Sequence, residues 1–296
     1  MLNNFFTDSQ WKEVKESIVN RRVKKISLNK IAIAALFPIE KLNYYLNNSL
    51  LIHPYVSVNN FNSTTSKRDL IERTENKYLN SLENELSLKN ILFRIAKGDT
   101  LVVNKLQIFD QEIKRLADGL SELFLADANV NLYYAHDKTI GINLHFDYKD
   151  VLAIQTCGTK HWRIYKKGTA YTNEIIDKQK KPDIDNKEDF MDIITTEGDL
   201  LFIPKGVWHY AFTEQDSSIH LSLSLKPIKL KEVIAEIIDN NFPEIGEKPL
   251  YNFTKKSLQK NIDHICELIK KSRVDDGLIG CLEKKAVKVK YKIELE

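Results

Sequence analysis

A chain of 296 residues with 43% hydrophobic and 29% charged residues has the makeup of a globular protein that buries a substantial core. Its 44 basic and 41 acidic groups leave a net charge of only +3, which by itself gives no argument for a direct nucleic-acid partner. Three scattered cysteines, Cys157, Cys266 and Cys281, do not make a disulfide framework, and no stretch resembles a secretory signal or a membrane span, so a cytoplasmic protein with no membrane partner is expected.

The first hundred residues read as mainly helical. Trp11, Val14 and Ile18 recur at helical spacing behind the caps Thr7, Asp8 and Ser9. A second helical stretch runs over 29–47 and breaks near Pro38. The run LLIHPYVSVNN predicts an early strand, 59–67 a loop, and the charged segment 67–86 a solvated helix.

From Leu88 the texture changes. A strand is predicted at 100–104 after the turn pair Gly98-Asp99, then an amphipathic helix over 111–125 with Ile113, Leu116, Leu120 and Leu123 on one side. Strand character returns at 129–135 and dominates to about Pro227, interrupted by a charged insertion at 172–189 that could cover a site or simply be a surface loop. Many short strands with polar turns suggest a barrel or double-sheet jelly roll. After Pro227, LKEVIAEIIDNNF and SLQKNIDHICELIKKSR predict helices, and AVKVKYKIELE a terminal strand.

The chemistry concentrates in IGINLHFDYKDVLAIQTCGTKHWRIY. Read as one strand, 140–147 puts His145 and Asp147 on the same face. His209, at the end of GDLLFIPKGVWH, would supply a second imidazole from a distant strand. Two histidines and one carboxylate with open positions hold non-haem Fe(II); zinc is the main competitor for that donor set. Lys160 shares a face with Trp162 and Ile164, and an ammonium aimed into a barrel needs a counter-charge. A dicarboxylate such as 2-oxoglutarate would supply it, binding the metal at one end and Lys160 at the other. On the last strand, Ser218, His220, Ser222 and Ser224 share one face and Ile219, Leu221, Leu223 and Leu225 the other, which suits either a polar-lined barrel or a sheet with a solvated side. His53, His136, His161, His220 and His264 are expected to be structural, and Cys157 a small buried side chain.

The run NLYYAHDKTIGINLHFDYKDVLAIQTCGTKHWRIY, followed by EGDLLFIPKGVWHYAF and SSIHLSLSL, resembles the JmjC-type oxygenases, and among them the cupin-like ribosomal oxygenase group of protein hydroxylases. The likeness covers about 88–225. It implies a mainly β core with helices: a double-stranded β-helix of jelly-roll type at 88–227, an N-terminal helical region at 1–87 packed on it, and a C-terminal helical region at 228–296 able to form a homodimer. It implies His145, Asp147 and His209 as iron ligands and catalytic centre, and Lys160, Asn131, Ser224 and Tyr133 around 2-oxoglutarate. The activity implied is O2-dependent hydroxylation of an amino-acid side chain in a protein or peptide. Two alternatives stand beside it: an N-methyl-lysine demethylase of the same chemistry, and a non-enzymatic metal-binding cupin. The chain after Pro227 has room for a dimerisation region but not for the winged-helix domain usual in bacterial members. The approach to the HxD segment, Ala135-His136-Asp137-Lys138-Thr139, also departs from the group's glycine- or proline-rich pattern.

Overall fold

The computed structural model describes residues 2–48, 50–52, 54–59, 67–76, 81–141, 143–165, 190–214 and 217–241, and 260, 263, 264, 266 and 267 beyond them. The insertion at 172–189 and its covering role, the terminal strand, and most of the second C-terminal helix lie outside the described residues.

The elements in chain order are α1 (Asp8–Val19), β1 (Lys24–Ser27), α2 (Lys30–Leu36), α3 (Ile39–Asn47), β2 (Val56–Asn59), β3 (Ile71–Asn76), β4 (Ser81–Leu86), α4 (Leu88–Ala96), β5 (Thr100–Val103) and α5 (Gln111–Phe124). They continue as β6 (Ala126–Ala135), β7 (Thr139–Ile140), β8 (Asp150–Cys157), β9 (Lys160–Tyr165), β10 (Phe190–Thr195), β11 (Asp199–Ile203), β12 (His209–Thr213), β13 (Ser218–Pro227) and α6 (Leu230–Asn241). Local chemistry sets the helix starts. Thr7 and Gln10 form a reciprocal capping box on α1. Asp110 accepts from the N–H groups of Glu112 and Ile113 at 2.9 and 3.0 Å and opens α5.

One compact unit comprises 1–119 and 129–225. Within it a seven-stranded sheet has the order β1-β11-β8-β13-β6-β5-β2, and a four-stranded sheet the order β10-β9-β12-β7. A core joins the two sheets: Val151 and Ala153 from β8, Leu201 and Ile203 from β11, and Trp162 and Ile164 from β9 pack together. The opposite face of the large sheet is equally dry. Ile219, Leu221 and Leu223 on β13 are fully buried, as are Leu152 and Ile154 on β8, where α2 packs. Apolar residues on both faces explain why β8 and β11 read as nearly continuous hydrophobic runs. The N-terminal region is not purely helical, since β1 and β2 form the two edges of this sheet. A second unit comprises 120–128 and 226–296; within it α6 forms as its amphipathic pattern predicts, and the Ile228 N–H donates to the Leu125 carbonyl at 2.9 Å.

Two expectations are corrected. The charged segment 67–86 is an antiparallel hairpin, β3 with β4, in register from Ile71 opposite Leu86 to Asn76 opposite Ser81. Its Glu and Lys content favours a helix locally, but cross-strand pairing is a tertiary gain that intrinsic propensity does not register. The Ser87 N–H donates to the Leu70 carbonyl at 2.9 Å and closes the hairpin, while the Ser87 hydroxyl caps α4. The segment 140–147 is not one strand either. Only Thr139–Ile140 pair regularly, with Phe212 and Thr213, and His145 returns as an isolated bridge to His209.

The turn between β8 and β9 aims Lys160. Gly158 has φ +66°, and a Cβ there would lie 1.9 Å from the Ser217 carbonyl oxygen, a backbone atom. Gly158→Ala is expected to destabilise the fold by about 3 kcal/mol, read as a lower denaturant midpoint at unchanged slope. An unchanged midpoint would show that the β8–β9 turn relaxes freely.

Candidate active site

Two polypeptide segments are knitted together to form the candidate metal site. His145 and His209 exchange backbone hydrogen bonds of 3.0 and 2.8 Å. The turn before His209 is bound to the other segment as well: the Gly206 N–H donates to the Asp147 carbonyl at 2.9 Å, and the Lys205 N–H to the Asp150 carboxylate at 2.9 Å. Gly206 has φ +81°, the left-handed conformation that the Pro-Lys-Gly turn requires. Asp150 is itself held by Arg21 at 2.6 Å.

The donor atoms of His145, Asp147 and His209 all lie within 4.8 Å of one another. Each imidazole is oriented in the same way. His145 Nδ1 contacts the Asn143 carbonyl at 2.7 Å and His209 Nδ1 the Val207 carbonyl at 2.9 Å. A carbonyl only accepts, so each Nδ1 is the donor and Nε2 is the ring nitrogen left to face a metal. That backbone anchoring is what metal-ligating histidines require. His209 Nε2 lies 3.6 Å from an Asp147 carboxylate oxygen. Burial and the neighbouring His145 hold the His209 imidazole below its ordinary range, against the pull of Asp147, so the deprotonated, ligating form is favoured.

The cluster opens into a cavity of about 300 Å³ between the two sheets. Asn131, Tyr133, Lys160 and Ser224, the residues implied around a cosubstrate, all line it with His145, Asp147 and His209. The polar face of β13 therefore meets a cavity and not bulk solvent: His220, Ser222 and Ser224 line it while the leucines face the other way. Asn131 is positioned by the backbone, its Oδ1 accepting from the Lys105 N–H at 3.0 Å where Lys105 has φ +53°. Tyr133 stacks on His220 at 4.8 Å with the rings almost parallel. Burial above all, and then the charge of Asp147, push the Tyr133 phenol up to about 12. Burial, with help from Lys160, drives His220 well below its ordinary range. Trp162 stands edge-on to His220 at 5.2 Å, and its indole N–H donates to the Thr195 hydroxyl at 2.9 Å.

Lys160 is 2% exposed, and no acidic side chain among the described residues pairs with it. Burial pushes its ammonium down from 10.5 to about 8. Between about pH 8 and 10.5 the unfolded chain still holds a proton that the folded state has released. This group therefore makes ligand-free stability rise with pH across that window. Urea midpoints taken from pH 7.5 upward should show the rise in the native protein and not in Lys160→Met; the same slope in both would place the effect elsewhere.

Among the cavity residues to which the sequence alone assigns no site role are Thr100, Gly141 and His220, the last expected to be structural. His220 shares its face with Ser222 and Ser224, which was the available signal. Thr100 and Gly141 carry no signal of their own, since only the fold brings them to Lys160.

Two facing sheets enclosing a two-histidine-one-carboxylate cluster and a buried cation define a cupin-like double-stranded β-helix with the donor set of a mononuclear metal site. Residues 102–233 match the family model described as the JmjC domain. Relatives include the protein named bifunctional lysine-specific demethylase and histidyl-hydroxylase NO66 from Drosophila pseudoobscura pseudoobscura, 23% identical over 84% of this chain and 28% of its own length. Ribosomal oxygenase 1 from Danio rerio is 30% identical over 40% of this chain and 22% of its own length. The chain thus spans about a quarter of the length of the curated relatives it matches. Among solved structures, Escherichia coli YcfD, described as a ribosomal oxygenase in complex with cobalt and succinic acid, shares the fold with a TM-score of 0.51 at 14% identity, covering 96% of this chain and 72% of that one.

Proposed function

We propose that this protein is an Fe(II)- and 2-oxoglutarate-dependent dioxygenase that hydroxylates an amino-acid side chain in a protein or peptide. One observation carries the reading: a single cavity holds an open three-donor metal cluster and a buried ammonium with no anionic partner among the described residues. A zinc hydrolase has use for the first and none for the second. The donor set fits a metal that keeps positions free for further ligands, and the cation fits a dicarboxylate whose other end reaches that metal.

When bound, iron with 2-oxoglutarate supplies the oxidising power to insert one atom of O2 into a C–H bond, the cosubstrate leaving as succinate and CO2. The protein's own part is placement and shielding. His145, Asp147 and His209 would hold the metal. Lys160 would pair with the distal carboxylate. Asn131, held by the Lys105 N–H, and Ser224 offer polar contacts along the cosubstrate. Tyr133, Trp162 and His220 form an aromatic wall that keeps water from the reacting centre. The Asp147 side chain is 39% exposed and Tyr148 45% exposed, which leaves this side of the site open to a polypeptide substrate. The relatives' names pair a histidyl hydroxylase with a lysine demethylase; both outcomes use the same oxidation at different carbons, and the hydroxylase reading is the one proposed here. Support for a metal and a dicarboxylate also comes from the fold neighbour, named as holding cobalt and succinic acid.

The test is turnover of 2-oxoglutarate to succinate by iron-loaded protein in air. Turnover that requires Fe(II) and O2 and disappears in Asp147→Ala supports the proposal. Metal-loaded, folded protein that leaves 2-oxoglutarate intact with every peptide offered would overturn it.

A further inference from the structure

The turn that delivers His209 is held from a distant part of the chain. That turn, Pro204-Lys205-Gly206, follows β11, and its Gly206 N–H donates to the Asp147 carbonyl, so a shift of the turn reaches two of the three candidate ligands. Arg21, just past the end of α1, grips it twice. One guanidinium nitrogen donates to Asp150 Oδ1 at 2.6 Å, the same oxygen that accepts from the Lys205 N–H at 2.9 Å. The other donates to the Lys205 carbonyl at 3.3 Å. The N–H and the carbonyl of Lys205 are thus tied, through Asp150 and directly, to one side chain 129 residues before Asp150. The segment that carries Arg21 is itself fixed beside the turn. β1 pairs with β11, and Val23 packs against the cluster that contains Val151, Ile203 and Val207.

The backbone at Arg21 points the same way. The Arg21 N–H donates to the Ile18 carbonyl at 3.3 Å and the Arg22 N–H to the Ser17 carbonyl at 3.1 Å, the pattern that closes a helix through a left-handed residue. Glycine is the usual occupant because it has no Cβ to clash, yet Arg21 stands there with φ +53°. The ion pair does not explain the choice through stability. The Arg21 side chain is 40% exposed, and pairs of that kind add little. A residue that strains its backbone and adds little stability is explained by what it positions.

We infer that Arg21 is a positioning residue for the metal site: through Asp150 and the Lys205 carbonyl it fixes the turn that sets His209 against Asp147. The inference rests on the metal-binding half of the proposed function and is independent of the cosubstrate. It makes metal affinity depend on the N-terminal segment, although Arg21 lends no donor atom to the cluster. Outer partners that hold ligands in place act in this way on a metal they never touch.

The experiment uses the full chain with Co(II) as the probe, added to metal-free protein without air and followed by its visible d–d absorption, which reports both affinity and ligand geometry. Arg21→Gly should lower Co(II) affinity by about 10-fold or more, the scale of outer partners of metal ligands, and should change the shape of the absorption envelope. Its metal-free Tm should stay within about 2 °C of native or rise, because glycine removes the left-handed strain. In an Asp150→Ala background, Arg21→Gly should cost less than about a further threefold, since the shared partner is already gone. The inference is overturned if Arg21→Gly binds Co(II) with native affinity and spectrum, if its metal-free Tm falls along with the affinity, or if the two substitutions act additively. Arg21→Gly alone decides the matter where Asp150→Ala does not fold. Folded native protein that binds no Co(II) would instead overturn the metal reading in the proposed function, and this inference with it.

Discussion

Lys160→Met is expected to bind 2-oxoglutarate at least about 100-fold more weakly than the native protein, consistent with the 2–5 kcal/mol typical of breaking a buried charge pair. It should at the same time be more stable without ligand. The two effects have one cause. Lys160 is 2% exposed on β9 and faces a cavity in which no acidic side chain among the described residues answers it. The folded protein bears the desolvation of that ammonium until an anion arrives, and methionine fills the volume without the charge. A merely structural lysine would show the reverse, lower stability with ligand affinity intact. Arginine should not rescue binding, because its planar fork is larger and directs its donors differently. Binding titrations and thermal unfolding, run on the same preparations, separate these cases.

His209→Ala is expected to lower affinity for a divalent metal by more than about 100-fold, because even the outer partners of metal ligands are commonly worth 10- to 100-fold. The expectation follows from how little freedom the cluster has. His209 is 3% exposed, its ring is anchored through Nδ1 to the Val207 carbonyl, and its backbone is paired with His145 on both sides. Its Nε2 lies 3.6 Å from an Asp147 carboxylate oxygen. The backbone bridge does not depend on the imidazole, so the variant should keep its secondary structure by circular dichroism. Metal affinity retained in a folded His209→Ala would show that the three donors do not act together.

The site was largely legible in the sequence because its elements carry strong local signals. An imidazole and a carboxylate two residues apart, a Pro-Lys-Gly turn before His209, and a lysine alternating with Trp162 and Ile164 each survive without knowledge of the fold. The alternation of β9 is borne out in its burial, with Lys160, Trp162 and Ile164 inward. The local route by which His145 and Asp147 reach one cluster was not legible. The segment 140–147 alternates like a strand, yet after the Gly141 N–H donates to Ala211 the chain leaves the sheet; the Asn143 side chain accepts from the Leu144 N–H at 2.7 Å, and only the bridge at His145 restores pairing. Side-chain capping of a neighbouring N–H competes with a ladder, and alternation cannot see that competition. The hairpin at β3 and β4 is not legible for a related reason: a run of Glu, Asn and Lys has no apolar period to separate helix from strand. Thr100 and Gly141 were silent because their meaning lies wholly in distances to Lys160 that the topology creates.

The central claim is that one cavity holds a metal and a dicarboxylate at once, and the most direct test is an anaerobic titration of metal-free protein with Fe(II) and 2-oxoglutarate, followed in the visible spectrum. The account predicts a charge-transfer band that needs both components, is absent in His145→Ala, and appears in Lys160→Met only at far higher 2-oxoglutarate. Folded, iron-loaded wild type that gives no band at saturating 2-oxoglutarate would contradict it.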